Sequence, residues 1–216
     1  MKDLSSDVIT KEEQAALTPD EVLKNLKDGN KRFSEGNLTA FDYNAQVKAT
    51  ASGQYPEAII LSCLDSRVPV EIVFDKGIGD VFVGRVAGNI ENEDMIGSFE
   101  FGTKLAGSKL IVVLGHSACG AVKGAVDYAA VKDMGMDNLN VLLESINPSV
   151  EAVLQDGEER KSSNKSLVDR AVEENVKQTI NRLRSKSETL RSLEQEGKIK
   201  IVGGVYDLST GKVNWM

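Results

Sequence analysis

Three short apolar runs rich in β-branched residues mark the middle of the chain. They span residues 58–63 (AIILSC), 81–86 (VFVGRV) and 109–116 (KLIVVLGH). Continuous apolar runs of this length are typical of strands buried on both faces of a parallel sheet. Helical patterns lie between and after them, over about residues 94–106 and 120–130. Strands that alternate with helices predict an α/β fold with a central, mainly parallel sheet flanked by helices.

Residues 1–55, before this core, have the pattern of a helical arm. Thr18 is suited to be the N-cap of a helix, with Pro19 at the first helical position and Glu21 three residues after the cap. Apolar side chains at helical spacing then form a single stripe along residues 18–36. We expect a neighbouring subunit to cover that stripe.

The chain after residue 130 falls into two parts. Residues 131–166 are mostly polar, which predicts a surface excursion containing one helix. A long amphipathic helix follows, and residues 199–206 and 213–215 have the pattern of a last strand and its hairpin partner. We therefore expect a single domain over residues 1–216, made of a helical arm (1–55), a core (56–130), the excursion (131–166) and a C-terminal helix and strand (167–216).

Composition narrows the class of protein. The 216 residues are 41% hydrophobic and 27% charged, as in an ordinary globular domain, and the net charge is −7. An acidic chain has little to neutralise a row of phosphates, which argues against a nucleic-acid partner. No apolar run approaches the roughly 20 residues of a membrane span, and the charged start of the chain lacks the apolar centre of a secretory signal. A cytoplasmic location is expected, and a periplasmic or exported one stays open if a signal has been removed.

The only two cysteines and the only histidine fall where a parallel sheet binds ligands. Cys63 ends the first apolar run, His116 ends the third, and Cys119 follows within one turn. Ligands of open parallel sheets bind outside the carboxyl ends of the strands. Thiolate sulfur and imidazole nitrogen are ligands that zinc prefers, and three protein ligands leave a fourth position open, as in catalytic sites. The trio therefore predicts one catalytic Zn²⁺ per chain.

Other interpretations of the same residues are open. Buried cysteines are common as packing, and a lone histidine can be a hydrogen-bonded core residue. A Cys63–Cys119 disulfide would make the chain a metal-free redox or scaffold protein. A nucleotide site built on the glycines at 115, 120 and 124 is weak, because their spacing forms none of the phosphate-binding fingerprints.

An acid and an arginine come directly after the first cysteine. Asp65 stands two residues past Cys63 and could take the fourth position on the metal, or it could pair with Arg67 and leave that position to water. A guanidinium fork grips a carboxylate at two points, which favours the pair. Two thiolates cancel the charge of Zn²⁺, so a nearby carboxylate that orients the attacking hydroxide has a clear use. An ordinary turn carrying an ion pair is the alternative.

Cys63-x-Asp65-x-Arg67 followed by His116-x-x-Cys119 resembles the signature of the β-class carbonic anhydrases. The similarity continues over residues 54–126, from QYPEAIILSCLDSRVPVE through VFVGRVAGN to LIVVLGHSACGAVKGAV. The resemblance implies reversible hydration of CO2 to bicarbonate and a proton by zinc-bound hydroxide, with Asp65 and Arg67 as a catalytic dyad. Zinc would be held by Cys63, His116 and Cys119.

The resemblance also implies a substrate pocket and an assembly. Gln54 matches the glutamine with which plant-like members bind a substrate oxygen, Phe82 matches a pocket wall, and Val68 and Gly120 would line the cleft. Members of the family form homodimers, or dimers of dimers, with the zinc site at the dimer interface. Relatives that hydrolyse carbon disulfide or carbonyl sulfide at the same kind of site leave the substrate open.

Overall fold

The computed structural model describes residues 4–216, so the first three residues of the predicted arm lie outside the described part. Its centre is one sheet in the order β2-β1-β3-β4-β5, in which the first four strands are parallel and β5 is antiparallel to β4. The predicted α/β fold with a mainly parallel sheet is confirmed. The strands are β1 (Ala58–Ser62), β2 (Val81–Arg85), β3 (Leu110–His116), β4 (Lys200–Tyr206) and β5 (Val213–Trp215).

Helices cover both faces of this sheet, which is why its central strands are apolar throughout. Every residue of β1 and β3 is buried. Their side chains alternate between the faces. The helices are α1 (Lys11–Ala16), α2 (Pro19–Ser34), α3 (Tyr43–Thr50), α4 (Val70–Val73), α5 (Glu93–Glu100), α6 (Gly120–Val126), α7 (Tyr128–Val131), α8 (Asp137–Val153), α9 (Lys165–Lys186) and α10 (Glu188–Gln195).

The helical arm packs in its own subunit. Thr18 and Glu21 form the expected capping box at the start of α2. Val22 and Leu26 are then completely buried against the sheet of the same chain. A side chain at Gly29 would place its Cβ 1.9 Å from the Phe74 carbonyl oxygen, so the glycine permits this close contact. The expectation that a neighbouring subunit covers the stripe is wrong, because the stripe faces the chain's own sheet.

The segment predicted as a surface excursion belongs largely to the core. It contains α8, whose Leu143, Ile146 and Val150 are buried in one cluster with residues of α6 and α9. The exposed stretches on either side of α8, residues 132–136 and 155–164, fit the expectation. The density of polar residues on the outer face of α8 conceals the buried stripe at three- and four-residue spacing.

The C-terminal region completes the side of the sheet opposite α2. α9 contributes nine buried residues, and its extent agrees with the amphipathic pattern predicted there. None of the helices within residues 4–216 combines the length and the apolar character that crossing a membrane requires.

Candidate metal centre

Two neighbouring parallel strands bring the three predicted metal ligands together. Cys63 follows the last residue of β1, and His116 is the last residue of β3, which pairs directly with β1. One side-chain ligand atom from each of Cys63, His116 and Cys119 lies within 4.8 Å of the other two. The two Sγ atoms are 3.8 Å apart and both cysteines are free. The trio forms a buried triangle of soft ligand atoms at the carboxyl edge of the sheet.

A tight turn returns the chain from His116 to Cys119. Ala118 has a φ of 56°, a left-handed conformation that is uncommon for a residue with a Cβ. This turn places Cys119 at the N-cap of α6, 1% exposed and close to the histidine. Strain of this kind is concentrated at functional sites.

The histidine presents its lone pair to the cysteines. Its Nδ1 lies 3.0 Å from the carbonyl oxygen of Ser117, which can only accept a hydrogen bond, so Nδ1 carries the hydrogen. Nε2 is then the unprotonated nitrogen, and it is buried without a hydrogen-bond partner in the described part of the chain. A buried acceptor with no donor is costly unless a cation binds it. Together with two thiols, this nitrogen fits the ligand preference of zinc.

The pKa values of the two thiols are shifted in opposite directions. Hydrogen bonds from Cys119 and from the Gly88 amide outweigh burial and lower the pKa of Cys63. The pKa of Cys119 is raised, because its hydrogen serves the Cys63 sulfur and because burial and a neighbouring thiolate oppose a second negative charge. One thiolate therefore forms readily, and a divalent cation would provide the charge that releases the second proton.

Asp65 is held beside this triangle by Arg67. The backbone N and Nε of Arg67 each donate to Oδ1 at 2.9 Å, and Nη2 donates to Oδ2 at 2.7 Å. This grip lowers the pKa of Asp65 well below its usual range, so the carboxylate is ionised at neutral pH. Its Oδ2 lies 3.8 Å from Nε2 of His116. The arginine thus orients a charged carboxylate toward the metal ligands.

Two residues that the sequence analysis did not identify also shape the centre. Arg85, the last residue of β2, donates from Nε to the Cys63 carbonyl at 3.1 Å and from Nη2 to the carbonyl of Asp65. The amide of Gly88 donates to Sγ of Cys63 at 3.3 Å. An arginine at the carboxyl end of the strand beside β1 was a usable signal. The contact of Gly88 could not be predicted in this way, because any residue type can donate from its backbone amide.

The remaining predicted site residues lie elsewhere in the single chain, except for Gly120. Gly120 begins α6 directly after Cys119 and is exposed. Val68 is completely buried in the apolar cluster below the sheet and does not line a cleft, which corrects that expectation. Phe82 pairs in register with Ile59, four residues before Cys63, and its ring centroid is 6.5 Å from that of Phe101.

Gln54 is the most distant of the predicted residues. It lies in an exposed loop before β1, beside Ile78 and Gly79. Cys63 lies after β1, so the five-residue strand separates them. At about 3.3 Å per strand residue, β1 alone accounts for roughly 15 Å. Gln54 therefore lies at the opposite edge of the sheet from the cysteines of its own chain.

Comparison with known proteins identifies the family. Residues 58–213 match the family model described as carbonic anhydrase. Carbonic anhydrase 2 of Mycobacterium tuberculosis is 37% identical over 192 residues, covering 88% of this chain and 88% of that protein. The chain belongs to the carbonic anhydrase family.

A solved structure supports the same assignment at the level of the fold. A β-carbonic anhydrase of Coccomyxa in complex with acetazolamide superposes with a TM-score of 0.70, at 24% identity, over 93% of this chain and 86% of that one. A carbon disulfide hydrolase of Acidithiobacillus thiooxidans is 30% identical over 100 residues, 43% of this chain and 46% of that protein. The fold is that of the β-carbonic anhydrases.

Proposed function

We propose that the chain catalyses the reversible hydration of CO2 to bicarbonate and a proton, with one zinc ion on Cys63, His116 and Cys119. The observation that carries this proposal is the buried triangle of two sulfurs and one unprotonated ring nitrogen, all within 4.8 Å. No fourth Cys or His exists in the sequence to close the site. When bound, zinc supplies a Lewis acid that makes hydroxide available from water near neutral pH.

Asp65 and Arg67 perform the remaining chemistry in this proposal. The ionised carboxylate of Asp65 accepts a hydrogen bond from the attacking hydroxyl, which leaves the oxygen lone pair directed at the carbon of CO2. Arg67 occupies both carboxylate oxygens and keeps Asp65 from taking the open metal position. Acid–base groups placed in this way contribute about 10²–10⁴-fold to a rate.

The pocket residues fit this proposal only if two copies of the chain assemble. Gln54 lies at the amino-terminal ends of the strands, away from the cysteines of its own chain. Its amide can therefore act on substrate only at the site of a second copy. The edge strand β2, which is mostly half-buried, and nearby exposed apolar side chains offer a surface for that contact, since Phe101 is 55% exposed and Leu64 is 66% exposed. We infer a homodimer in which Gln54 and Phe82 belong to the pockets, and pairing of dimers extends the same assembly.

Two rival functions use the same residues. Hydrolysis of carbon disulfide or carbonyl sulfide needs the same nucleophile and a differently shaped entrance. The partial match to a carbon disulfide hydrolase is the reason to test this activity. A Cys63–Cys119 redox pair would have to bring its sulfurs from 3.8 Å to about 2.05 Å. The unpartnered Nε2 of His116 favours the metal over the disulfide.

The decisive experiment combines metal content with two activities. Purified protein is assayed for zinc per chain, for CO2 hydration by stopped flow and for release of sulfide from carbon disulfide. We expect one zinc per chain and hydration that exceeds sulfide release. Protein that carries zinc but releases sulfide without hydrating CO2 supports the first rival, and protein that binds no zinc contradicts the proposal.

Mixed dimers test the role of Gln54. Gln54→Ala removes the amide, and Cys63→Ser removes a metal ligand, so each homodimer is expected to be weakly active. In the mixed dimer the site on the Gln54→Ala chain keeps all its metal ligands and receives Gln54 from the other chain. Recovery of about half of the wild-type activity is expected, because one of the two sites is then complete. No recovery would contradict action across the dimer, and a fully active Gln54→Ala homodimer would place Gln54 outside the site.

A further inference from the structure

A backbone amide reaches the sulfur of one metal ligand. The Gly88 N–H donates to Sγ of Cys63 at 3.3 Å, and both groups are buried. Gly88 lies in a 3₁₀ turn, Ala87–Asn89, one residue after the strand that ends at Arg85. Its φ is 75°, in the left-handed region. A hydrogen bond to a thiolate spreads its negative charge and fixes the direction of the sulfur.

Only glycine fits in this turn. A Cβ at position 88 would lie 2.5 Å from Cδ1 of Ile146 and 3.3 Å from Cβ of Ala121. The left-handed φ adds strain for any other residue. The turn is therefore closely packed on the side of α6 and α8.

A buried side chain from α9 holds the carbonyl end of this turn. Nδ2 of Asn175 donates to the Gly88 carbonyl oxygen at 2.7 Å, across 87 positions of sequence. Asn175 is 1% exposed. Gly88 is thus bound on both sides, by its amide to the metal ligand and by its carbonyl to Asn175.

Next to this contact, α9 packs closely on the sheet. Val176, next to Asn175, fills the space above two strand glycines: a Cβ at Gly115 would lie 2.8 Å from it, and a Cβ at Gly203 would lie 2.6 Å from it. Gly115 is the residue before His116. The same turn of α9 therefore packs on the strand that carries the histidine and holds the turn that contacts the cysteine.

Packing gives no reason for an amide at position 175. The nearest buried residues of the helix, Ala171, Val172 and Val176, are apolar, and the next polar one is Thr179, one turn later. The Oδ1 of Asn175 has no hydrogen-bond partner within residues 4–216, which is a cost that an apolar side chain would avoid. The contact with Gly88 is the one polar interaction of Asn175 that the structure describes.

We propose that Asn175 is a positioning residue of the metal centre, which holds Gly88 so that its amide stays on the Cys63 sulfur. This inference rests on the proposed function only in taking Cys63 as a metal ligand. With the hydrogen bond in place, the sulfur is preorganised and donates less charge to the metal. Without it, the ligand is less ordered and the sulfur carries more charge.

Asn175→Leu tests the inference, with Thr179→Val as the matched control. Leucine has a similar volume and no donor. Thr179 is completely buried one turn later on the same face of α9, and its hydroxyl accepts from Arg182 at 3.0 Å. Both variants exchange a buried polar group for an apolar one, but only the first reaches the metal centre.

Two measurements follow the metal site without any substrate. Zinc affinity is measured on the full-length protein by competition with a chromophoric chelator, and the thiolate-to-metal charge-transfer band is recorded after substitution with Co²⁺. For Asn175→Leu we expect zinc affinity to fall about 10-fold or more, as for other outer partners of metal ligands, and the band to move to longer wavelength. For Thr179→Val we expect both to match the wild type.

Asn175→Ser serves if the leucine variant does not fold. Serine is tolerated in helices and is too short to reach the Gly88 carbonyl, so the same fall and the same shift are expected. Affinity and band position equal to wild type in a folded variant would overturn the inference, as would equal changes in Thr179→Val. A wild-type protein that binds zinc and does not hydrate CO2 would contradict the proposed function, whereas these variants would still decide the role of Asn175.

Discussion

Two aspartates, Asp65 and Asp75, are each bound by an arginine, but they differ in what their oxygens are left free to do. The Asp75 side chain is 1% exposed and accepts three hydrogen bonds. They come from the backbone N–H and the hydroxyl of Thr39 and from Nε of Arg32. Within residues 4–216 the Asp65 carboxylate accepts hydrogen bonds only from Arg67, two residues away, and its Oδ2 lies 3.8 Å from Nε2 of His116.

The contrast separates a structural carboxylate from a functional one. The partners of Asp75 come from α2 and from the loop before α3, so its hydrogen bonds join distant parts of the chain. The partner of Asp65 is a local arginine that is 60% exposed, which contributes little to stability. Substitutions that remove the same charge at both positions should therefore have opposite effects on stability and activity.

Removal of the metal should affect the Asp65 region alone and produce the largest effect. The Lewis acid contributes several kcal/mol to the transition state, so we expect CO2 hydration to fall about a thousandfold or more after chelation. Stopped-flow rates are measured after chelator treatment and again after zinc is restored. Circular dichroism at room temperature checks that the fold persists. A chelated, zinc-free protein that keeps its activity would contradict the assignment of the metal.

Asp65→Asn should be almost as damaging to the rate and almost harmless to the fold. The amide keeps the shape of the side chain but lacks the negative carboxylate that accepts the hydrogen bond from the attacking hydroxyl. We expect kcat to fall about 10²–10⁴-fold. The free energy of unfolding should change by less than about 1 kcal/mol, because the ion pair with Arg67 is exposed. A comparable loss of stability and rate would mean that Asp65 is structural.

Asp75→Asn should show the reverse pattern. Asn tolerates the φ of 51° at this position, so the substitution isolates the charge. A buried hydrogen-bonded charge contributes about 1.5–3 kcal/mol, and we expect the free energy of unfolding at pH 7 to fall by about 2 kcal/mol. The kcat per folded enzyme should equal that of the wild type, as measured by denaturant unfolding and stopped flow on the same samples.

The pH dependence of that loss sharpens the test. Burial raises the pKa of Asp75, but hydrogen bonds from Arg32 and Thr39 outweigh it and leave the pKa below its ordinary value. The folded state therefore binds this proton more weakly than the unfolded state. The stabilisation is fully present above the unfolded pKa of about 3.9 and is lost as the pH falls through the folded pKa. The gap between wild type and Asp75→Asn should close in that acidic range and remain constant near neutrality.

The two aspartates also show how far sequence reasoning extends. The Asp65–Arg67 pair, the capping box at Thr18 and the strands that end at Cys63 and His116 were predictable, because each depends on neighbours within a few residues or on the geometry common to parallel sheets. The bonds of Asp75 and the contact between Asn175 and Gly88 were not, because they join segments far apart in sequence.

Packing partners were the other part that the pattern could not determine. The apolar stripe of α2 predicts burial but does not name the surface that covers it. The answer depends on Gly29 allowing the helix close to the Phe74 carbonyl, which only the folded chain reveals. The position of Gln54 was also not predictable from the pattern. The resemblance implied a pocket residue, but Gln54 lies at the end of the sheet opposite the cysteines of its own chain.

Arg67→Lys is the subtlest way to disturb the contrast between the two aspartates, because it keeps the charge and removes the fork. A lysine binds the carboxylate at one point, so Asp65 is less firmly held from the open metal position. We expect CO2 hydration near neutral pH to fall about tenfold, which corresponds to about 1.4 kcal/mol, with unfolding unchanged. Stopped flow provides the rate.

The matched control is Arg32→Lys, which should alter stability slightly and leave the hydration rate unchanged, because Asp75 keeps its two hydrogen bonds from Thr39. Full activity in Arg67→Lys would show that charge alone positions Asp65 and that the two-point grip is not needed.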